Sequence, residues 1–291
     1  MKEIIQKLRA FDLNNEFKNQ EIRNLLLQLS MPVVPAKIEK ENVIIRLRRG
    51  WGYKEEKDMS YKPMQLCDKY QRASLLNQPV FYGVLSDDQE HLENAMAIGI
   101  GECSLLVNQG KNSIGREYIT SSQWRLKQDI RVACIICNDS YRAVDNNKLL
   151  EIIQQASKTF DNTIELLDTI SFVEREFTKK VFNDKDYKLS ATIADILLNE
   201  YNYEALAYPS VKFNGQIGLN LAIRPDVVDS KLELFRILEL CYYKNAAKGI
   251  FRIESYYNIE KRYKQKVYHF PTFMLCNKIG IDTIEELPIV K

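Results

Sequence analysis

Four short stretches of the chain carry residue types that could bind phosphate and stabilise a developing positive charge. They are IIRLRRG (44–50), YQRASLLNQPVFYGVL (70–85), AMAIGIGECS (95–104) and LAYPSVKFNGQIGLNLAI (206–223). An arginine fork can bind two phosphate oxygens at once, and a fixed carboxylate can stabilise a nearby cation. Each stretch also has an ordinary structural explanation, because most arginines are solvated and most tyrosines at strand ends pack. The candidate side chains are Arg46, Arg72, Tyr82, Glu102 and Ser210.

Ser210 stands at an unusual position for a hydroxyl. Two apolar runs flank a predicted turn at Asn214–Gly215, and Pro209 and Ser210 interrupt the end of the first run. Proline cannot donate to a strand ladder, and it biases the preceding Tyr208 toward extended backbone. The pattern fits either a simple strand end or a serine held at the rim of a binding cleft.

Composition excludes several classes of protein. The 41 basic residues nearly balance the 39 acidic ones, so the overall charge gives no support to nonspecific nucleic-acid binding. No apolar run approaches the roughly 18 residues that a membrane span needs. The first residues, MKEIIQKLRAFDLNNEF, mix both charges and lack the apolar core of a signal peptide. The sequence therefore predicts a cytoplasmic protein that is not embedded in a membrane.

Cysteine and histidine usage argues against a metal or thiol centre. The six cysteines are scattered, and the CxxC pair Cys134 and Cys137 has no second ligand pair at zinc-site spacing. We interpret these residues as reduced, buried thiols. The two histidines, His91 and His269, have no suggestive neighbours. Any chemistry is therefore expected to use carboxylate, arginine, tyrosine and serine, with no metal.

Familiar nucleotide-binding motifs are missing. The stretch GIGECS (99–104) has serine where a dinucleotide fingerprint requires its third glycine, and it follows a helix pattern rather than a strand. The tyrosine- and lysine-rich stretch 256–268 could stack on nucleic-acid bases, or it could form cross-strand aromatic pairs in an exposed sheet.

The elements that must position these residues can be read from apolar periodicity. Helices are predicted over 1–30, 146–157, 161–182 and 189–202, and strands over 42–50 and 79–85. Another helix is predicted after the capping-box pair Ser86 and Gln89, and Gly99 and Gly101 are expected to end it before Glu102. A strand pair is predicted within 122–137, residues 230–244 fit strand or helix, and 249–270 alternates as strands do. This irregular order favours an α+β fold over a doubly wound sheet.

In their order along the chain, the four stretches resemble the RES family, which is named for its arginine, glutamate and serine. Its members include NAD-degrading toxins of bacterial toxin–antitoxin pairs. The family pattern is an arginine in a loop, a tyrosine about ten residues later on a strand, and a helix ending in a glutamate. Much further on, a Tyr-Pro-Ser element precedes a glycine turn and an Asn-Leu strand. Arg72, Tyr82, Glu102 and Ser210 occupy these positions here.

The resemblance covers about residues 43–225. It divides the chain into an N-terminal helical extension (1–35) and a RES-like catalytic domain (36–291) with a helical insert at about 146–182. The chain departs from the family around the arginine, where Gln71, Ala73 and Ser74 replace the usual glycine, aromatic residue and asparagine. The spacing from Tyr82 to Glu102 is also a few residues longer than in compact members, and Glu93 is the alternative glutamate.

The resemblance implies a fold like that of ADP-ribosyltransferases, with a split, strongly bent β core surrounded by helices and NAD in the cleft. NAD would be a substrate rather than a permanently bound cofactor. Cleavage of its nicotinamide–ribose bond releases a neutral leaving group through an oxocarbenium-like transition state, which a carboxylate can stabilise. Glu102 is the candidate for that role. Arg72 with Arg46 would bind the pyrophosphate, Tyr82 would confine the nicotinamide or ribose, and Ser210 would hydrogen-bond the ribose or carboxamide.

The expected function is NAD cleavage by hydrolysis or phosphorolysis, as in a toxin or defence effector. One alternative is ADP-ribosylation of a protein. Another is a non-catalytic nucleotide- or nucleic-acid-binding module, or an interaction module in which the matching residues are structural. An antitoxin protein that blocks the cleft and a homo-oligomer are possible partners under the same resemblance.

Overall fold

The structure is a computed structural model, and it describes residues 1–15, 18–53, 55–86, 92–109, 113–135, 164–210, 219–245, 250–256, 262–263 and 266–267. The larger strands are β1 Val33–Ile38, β2 Val43–Arg49, β3 Phe81–Ser86, β4 Ile114–Leu126, β5 Ile130–Ile135, β6 Ala205–Pro209, β7 Leu219–Ile223, β8 Leu232–Asn245 and β9 Ile250–Tyr256. Two short strands, β10 Arg262–Tyr263 and β11 Lys266–Val267, form a separate pair.

The described helices are mostly short. They are α1 Lys2–Ala10, α2 Asn19–Leu26, α3 Glu56–Met59, α4 Leu92–Cys103, α5 Leu105–Asn108, α6 Ile164–Thr178, α7 Lys188–Asp195 and α8 Pro225–Lys231. A π-helical turn, Ile196–Glu200, continues α7, and 3₁₀ turns occur at Met64–Leu66 and Asp184–Tyr187.

Strands β1 to β9 form one bent, mixed sheet in the order β1-β5-β6-β7-β3-β2-β4-β8-β9. Only β5 and β6 run parallel among these described pairs. Because successive side chains of a strand point to opposite faces, β2 contributes to two cores. Ile44 belongs to the main core, which α1, α2, α6 and α7 cover, whereas Ile45 packs with Ala95 and Ile98 of α4. Helices therefore cover both faces of this α+β fold.

The sheet opens between its two central strands. Pairing between β2 and β3 ends at Ile45 and Val84. Beyond that point β2 continues to Arg49 beside β4, whereas β3 begins at Phe81 beside β7. The end of β2 and the start of β3 thus have no common ladder, and the backbone there is free to line a cavity.

The N-terminal helices share the core of the sheet. Ile5 and Leu8 of α1 and Ile22 and Leu26 of α2 are buried in the main core, and the predicted domain boundary at residue 35 falls inside β1.

Several predicted elements are confirmed and others are wrong. Of residues 230–244, for which strand or helix was predicted, 232–244 belong to strand β8, whereas 230–231 end helix α8. The expected end of α4 before Glu102 is wrong, because the helix continues through both glycines to Cys103. The strands within 122–137 exist, but β4 pairs with β2 and β8 and β5 with β1 and β6, so they do not pair with each other. The predicted helix 146–157, the Asn214–Gly215 turn, Gln89 and Cys137 lie outside the described residues.

Candidate functional site

A cavity of about 650 Å³ lies at the opening between β2 and β3, within the volume range of small-molecule sites. Its lining includes the four tyrosines Tyr53, Tyr82, Tyr187 and Tyr208. Its cationic lining residues are Arg46, Arg48, Arg49, Lys62, Lys69 and Arg72. Among the described residues, Glu102 is the one carboxylate in the lining. The cavity is therefore strongly positive, with a single negative side chain.

Glu102 lies in the last turn of α4 and is exposed to solvent. Ser210 Oγ donates to its Oε1 at 2.9 Å, and Asn220 Nδ2 donates to the same oxygen at 3.2 Å. Within the described part of the chain, Oε2 accepts no hydrogen bond. A carboxylate at a helix C-terminus faces the negative end of the helix dipole, which is an unfavourable place for it. One oxygen of this cavity-lining carboxylate is thus held by two donors, and the other has no described partner.

Helix α4 can place Glu102 there because it approaches β2 closely at Gly99. A Cβ atom added to Gly99 would overlap Leu47 of β2. Glycine at this position was predicted to end the helix, but its role is close packing. The alternative glutamate, Glu93, lies nine residues earlier in the same helix, about 13 Å along its axis. Its side chain lies outside the described residues.

The position of Ser210 follows from the end of β6. Tyr208 pairs with Asn220 of β7, and Pro209 is the last strand residue. Ser210 comes directly after the strand and is fully buried, with its hydroxyl on Glu102. The proline and serine therefore mark both a strand end and a fixed donor. Asn220 is a residue of the candidate site that the sequence pattern did not single out, and the Asn-Leu pair of the resemblance was the signal that could have found it.

Arg46 bridges the two diverging strands. Its Nη1 donates at 2.7 Å to the carbonyl of Tyr82, which takes the place of a ladder bond, and its guanidinium lies 5.1 Å from the centre of the Phe81 ring. Its buried Nε has no hydrogen-bond partner among the described residues. Burial, with the nearby charge of Arg48, lowers the pKa of Arg46 to about 10. Arg46 thus stays protonated at neutral pH, with its buried Nε–H unpaired among the described residues.

Arg72 lines the cavity but is held mainly by the end of α6. Its guanidinium donates to the carbonyls of Phe177 at 2.7 Å, Lys179 at 3.2 Å and Glu176 at 3.4 Å, and it lies 4.9 Å from the centre of the Tyr187 ring. A cation at a helix C-terminus satisfies orphan carbonyls and the helix dipole. Helix α6, which was predicted as part of an insert, therefore fixes the cavity wall.

The hydroxyl of Tyr82 is used within the protein. It accepts from the amide of Ala73 at 3.1 Å and donates to Ser74 Oγ at 3.2 Å. Burial raises its pKa to about 12. Tyr82 can offer a ligand its ring surface, but its hydroxyl is tied to the loop that carries Arg72.

The other two arginines of β2 are also positioned. Arg48 donates to the carbonyl of Asp58 and lies 5.1 Å from the centre of the Tyr53 ring. Arg49 pairs with Glu117 at 2.6 Å. The following loop reverses at Gly50, whose φ of +96° is favourable only for glycine. This turn brings Tyr53 back against β2.

Cys103 and Cys67 also line the cavity. Burial raises the pKa of the Cys103 thiol to about 12 and also raises that of Cys67. Both thiols are therefore protonated and poorly nucleophilic at neutral pH. Cys134 is fully buried in β5, in agreement with the expectation of buried thiols.

Comparison with models of known protein families and with curated proteins found no match. Among the described residues, no three potential metal ligands of the His, Cys, Asp or Glu type lie together. No helix in the described ranges has the length and apolar character needed to cross a membrane.

Proposed function

We propose that this protein cleaves the nicotinamide–ribose bond of NAD at the cavity between β2 and β3. The observation that carries the proposal is the Glu102 carboxylate, which lines the same cavity as the arginines and has one oxygen held by Ser210 and Asn220 and the other without a described partner. The chemistry of NAD needs both features. Its pyrophosphate requires cations, and its reacting ribose requires a fixed negative charge.

The reaction begins with breakage of the bond between ribose C1′ and the nicotinamide nitrogen. The bonding electrons leave with nicotinamide, which becomes neutral, so this step needs no general acid. The positive charge that develops on the ribose is stabilised by Glu102 and by the carbonyls at the end of α4. A nucleophile then attacks C1′, and when it is water it loses its proton to solvent or to Glu102.

The remaining residues bind and orient the substrate. Arg46 and Arg48 are the best-placed phosphate donors of the lining, because each has one described carbonyl bond whereas Arg72 bonds three carbonyls. Tyr82 and Tyr208 offer ring surfaces for the nicotinamide. Ser210 acts on the reaction through Glu102, rather than through the ribose or carboxamide as the sequence suggested.

The divergence of β2 from β3 supports the proposal that the sheet is a split core like that of ADP-ribosyltransferases. The common location of Arg72, Tyr82, Glu102 and Ser210 supports the resemblance to the RES family. Under the proposal, water, phosphate and a protein side chain attack the same carbon. An antitoxin-like partner would act by covering the cavity.

The test is to incubate the purified protein with NAD, with and without phosphate, and to identify the products by mass. Hydrolysis yields nicotinamide and ADP-ribose, phosphorolysis yields a phosphorylated ADP-ribose, and transfer to protein adds ADP-ribose to a polypeptide. We expect nicotinamide release by one of these routes. If NAD remains intact while it binds the protein, the enzyme proposal is wrong and a nucleotide-binding module is the better account.

A further inference from the structure

The arginines of the cavity are positioned mainly by neutral backbone carbonyls, so their positive charges are not neutralised by these contacts. Arg46, Arg48 and Arg72 hydrogen-bond backbone carbonyls rather than carboxylates. Lys62 and Lys69 are exposed at the cavity mouth. Within the described ranges, none of these five residues forms an ion pair with a carboxylate. A carbonyl fixes a guanidinium in place without neutralising it.

Arginines with carboxylate partners occur elsewhere in the same protein. Arg23 pairs with Asp195 and Glu200, and Arg224 pairs with Asp226 at 2.5 Å. Among the arginines of the cavity, Arg49 is the one with a carboxylate partner in the described part of the chain, Glu117. Placing like charges together in a partly buried site costs free energy unless an anion joins them. The uncompensated charge therefore points to an anionic ligand.

The positive charge is larger than NAD requires. Glu102 offsets one of the five cations that lack a carboxylate partner among the described residues. The NAD pyrophosphate carries two negative charges, one of which the pyridinium ring offsets within the molecule. We propose that the cavity has a subsite for a phosphomonoester and prefers the 2′-phosphorylated dinucleotide, NADP, to NAD. This inference rests on the proposed function, because it assumes that a nicotinamide dinucleotide occupies the cavity.

The subsite lies at the mouth of the cavity. Arg46 is buried, whereas Lys62 and Lys69 are exposed on the segment that leads from α3 to Arg72. The extra phosphate of NADP is on the adenosine ribose, at the far end of the molecule from the bond that breaks. With the reacting ribose at Glu102 and the pyrophosphate at the arginines, the adenosine end is the part left to meet the exposed lysines.

Binding of ADP-ribose and 2′-phospho-ADP-ribose tests this inference without any reaction, since neither contains nicotinamide. Calorimetric titration of the wild-type protein should give a Kd about tenfold lower for the 2′-phosphorylated ligand, because an exposed ion pair contributes up to roughly fivefold. The ratio should shrink at high salt, which screens exposed charges. Equal affinities, or binding of neither ligand, would overturn the inference.

Two lysine variants locate the subsite. The double variant Lys62→Gln/Lys69→Gln should lose about tenfold in the affinity ratio. Lys57→Gln is the matched control, because Lys57 is exposed in the same region but pairs with Glu55 and does not line the cavity. An unchanged ratio in the double variant would refute the assignment of these lysines.

Cleavage assays separate failure of this inference from failure of the proposed function. NADP cleavage with a higher kcat/KM than NAD cleavage supports both. Cleavage of both dinucleotides at equal kcat/KM refutes the inference alone. If neither is cleaved but 2′-phospho-ADP-ribose binds more tightly, the proposed function fails and the phosphate subsite stands. If free phosphate accelerates NAD cleavage while the 2′-phosphate has no effect, the cations serve a phosphate acceptor instead and the inference is wrong.

Discussion

Removing the hydroxyl of Ser210 tests how much the position of the Glu102 carboxylate contributes to catalysis. Ser210→Ala removes the 2.9 Å hydrogen bond to Oε1 and leaves the Asn220 bond at 3.2 Å to the same oxygen. The side chain is fully buried, and alanine is smaller, so the substitution introduces no steric overlap. The carboxylate should then sample orientations in which Oε2 no longer faces the ribose.

The expected magnitude follows from this geometry. A hydrogen bond to a charged group contributes about 1.5–3 kcal/mol, and the exposure of Glu102 puts the effect at the lower end. A loss of about 1.5 kcal/mol of transition-state stabilisation is roughly tenfold in kcat/KM for NAD cleavage. Because Ser210 acts through Glu102, most of the loss should be in kcat, with a smaller change in KM.

A double-mutant cycle measures the coupling between Ser210 and Glu102, and a purely structural role of the serine would give no such coupling. Nicotinamide release is measured for Ser210→Ala, Glu102→Gln and the combined variant. In the Glu102→Gln background, loss of the serine hydroxyl should have little further effect, since the two residues act as a unit. Thr192→Val is the control. It also removes a buried hydroxyl, bonded at 2.7 Å to the Lys188 carbonyl, but Thr192 does not line the cavity.

Additive losses in the cycle would show instead that Ser210 acts independently of Glu102. A tenfold loss in the Thr192→Val control would also contradict the role of Ser210, by showing that activity follows general packing. Circular dichroism of each variant checks that the fold is retained.

Three further substitutions test the packing of α4, the end of α6 and the Glu204 carboxylate. Gly99→Val should push α4 away from Leu47 and reduce NAD cleavage at least tenfold in initial-rate assays, with the circular dichroism spectrum retained; an unchanged rate would contradict the close-packing role. Arg72→Ala should lower the free energy of unfolding by about 2 kcal/mol in urea titrations, because three carbonyls lose their donor; no change would show that α6 does not need it. Two opposing effects act on the pKa of Glu204. Burial raises it, but hydrogen bonds from Lys231 and the Arg131 amide outweigh burial and lower the pKa below its usual value. Glu204→Gln should therefore cost about 1 kcal/mol at pH 7, a difference that disappears as the pH falls below 4.5 and the wild-type carboxylate protonates; a constant difference across pH would contradict this.

The sequence predicted the strands that carry the site better than the contacts within it. The apolar alternation of β2 and β3 and the Tyr-Pro-Ser strand end depend on local backbone and burial, which periodicity records. The continuation of α4 through Gly99 and Gly101 was missed because helix-ending glycine and close-packing glycine look alike in a sequence. Contact with Leu47 of β2 decides between them.

The role of Arg72 shows what sequence order cannot supply. Its place in the pattern predicts a phosphate ligand, but its donors are engaged by the end of α6, about a hundred residues later in the chain. The same long-range pairing brings Asn220 to Glu102 from β7. Such contacts depend on which strands become neighbours, and the order of the nine-stranded sheet was not predictable from local patterns.

The role of Glu102 in NAD cleavage is tested by the rate of nicotinamide release from NAD by the wild-type protein and by Glu102→Gln. The substitution keeps the shape of the side chain and removes its charge. Glu21→Gln, on the surface of α2 where Glu21 pairs with Lys18, is the matched control. We expect the wild type and the control to release nicotinamide at similar rates and Glu102→Gln to be at least a hundredfold slower. Equal rates in all three proteins would contradict a cavity chemistry built on Glu102.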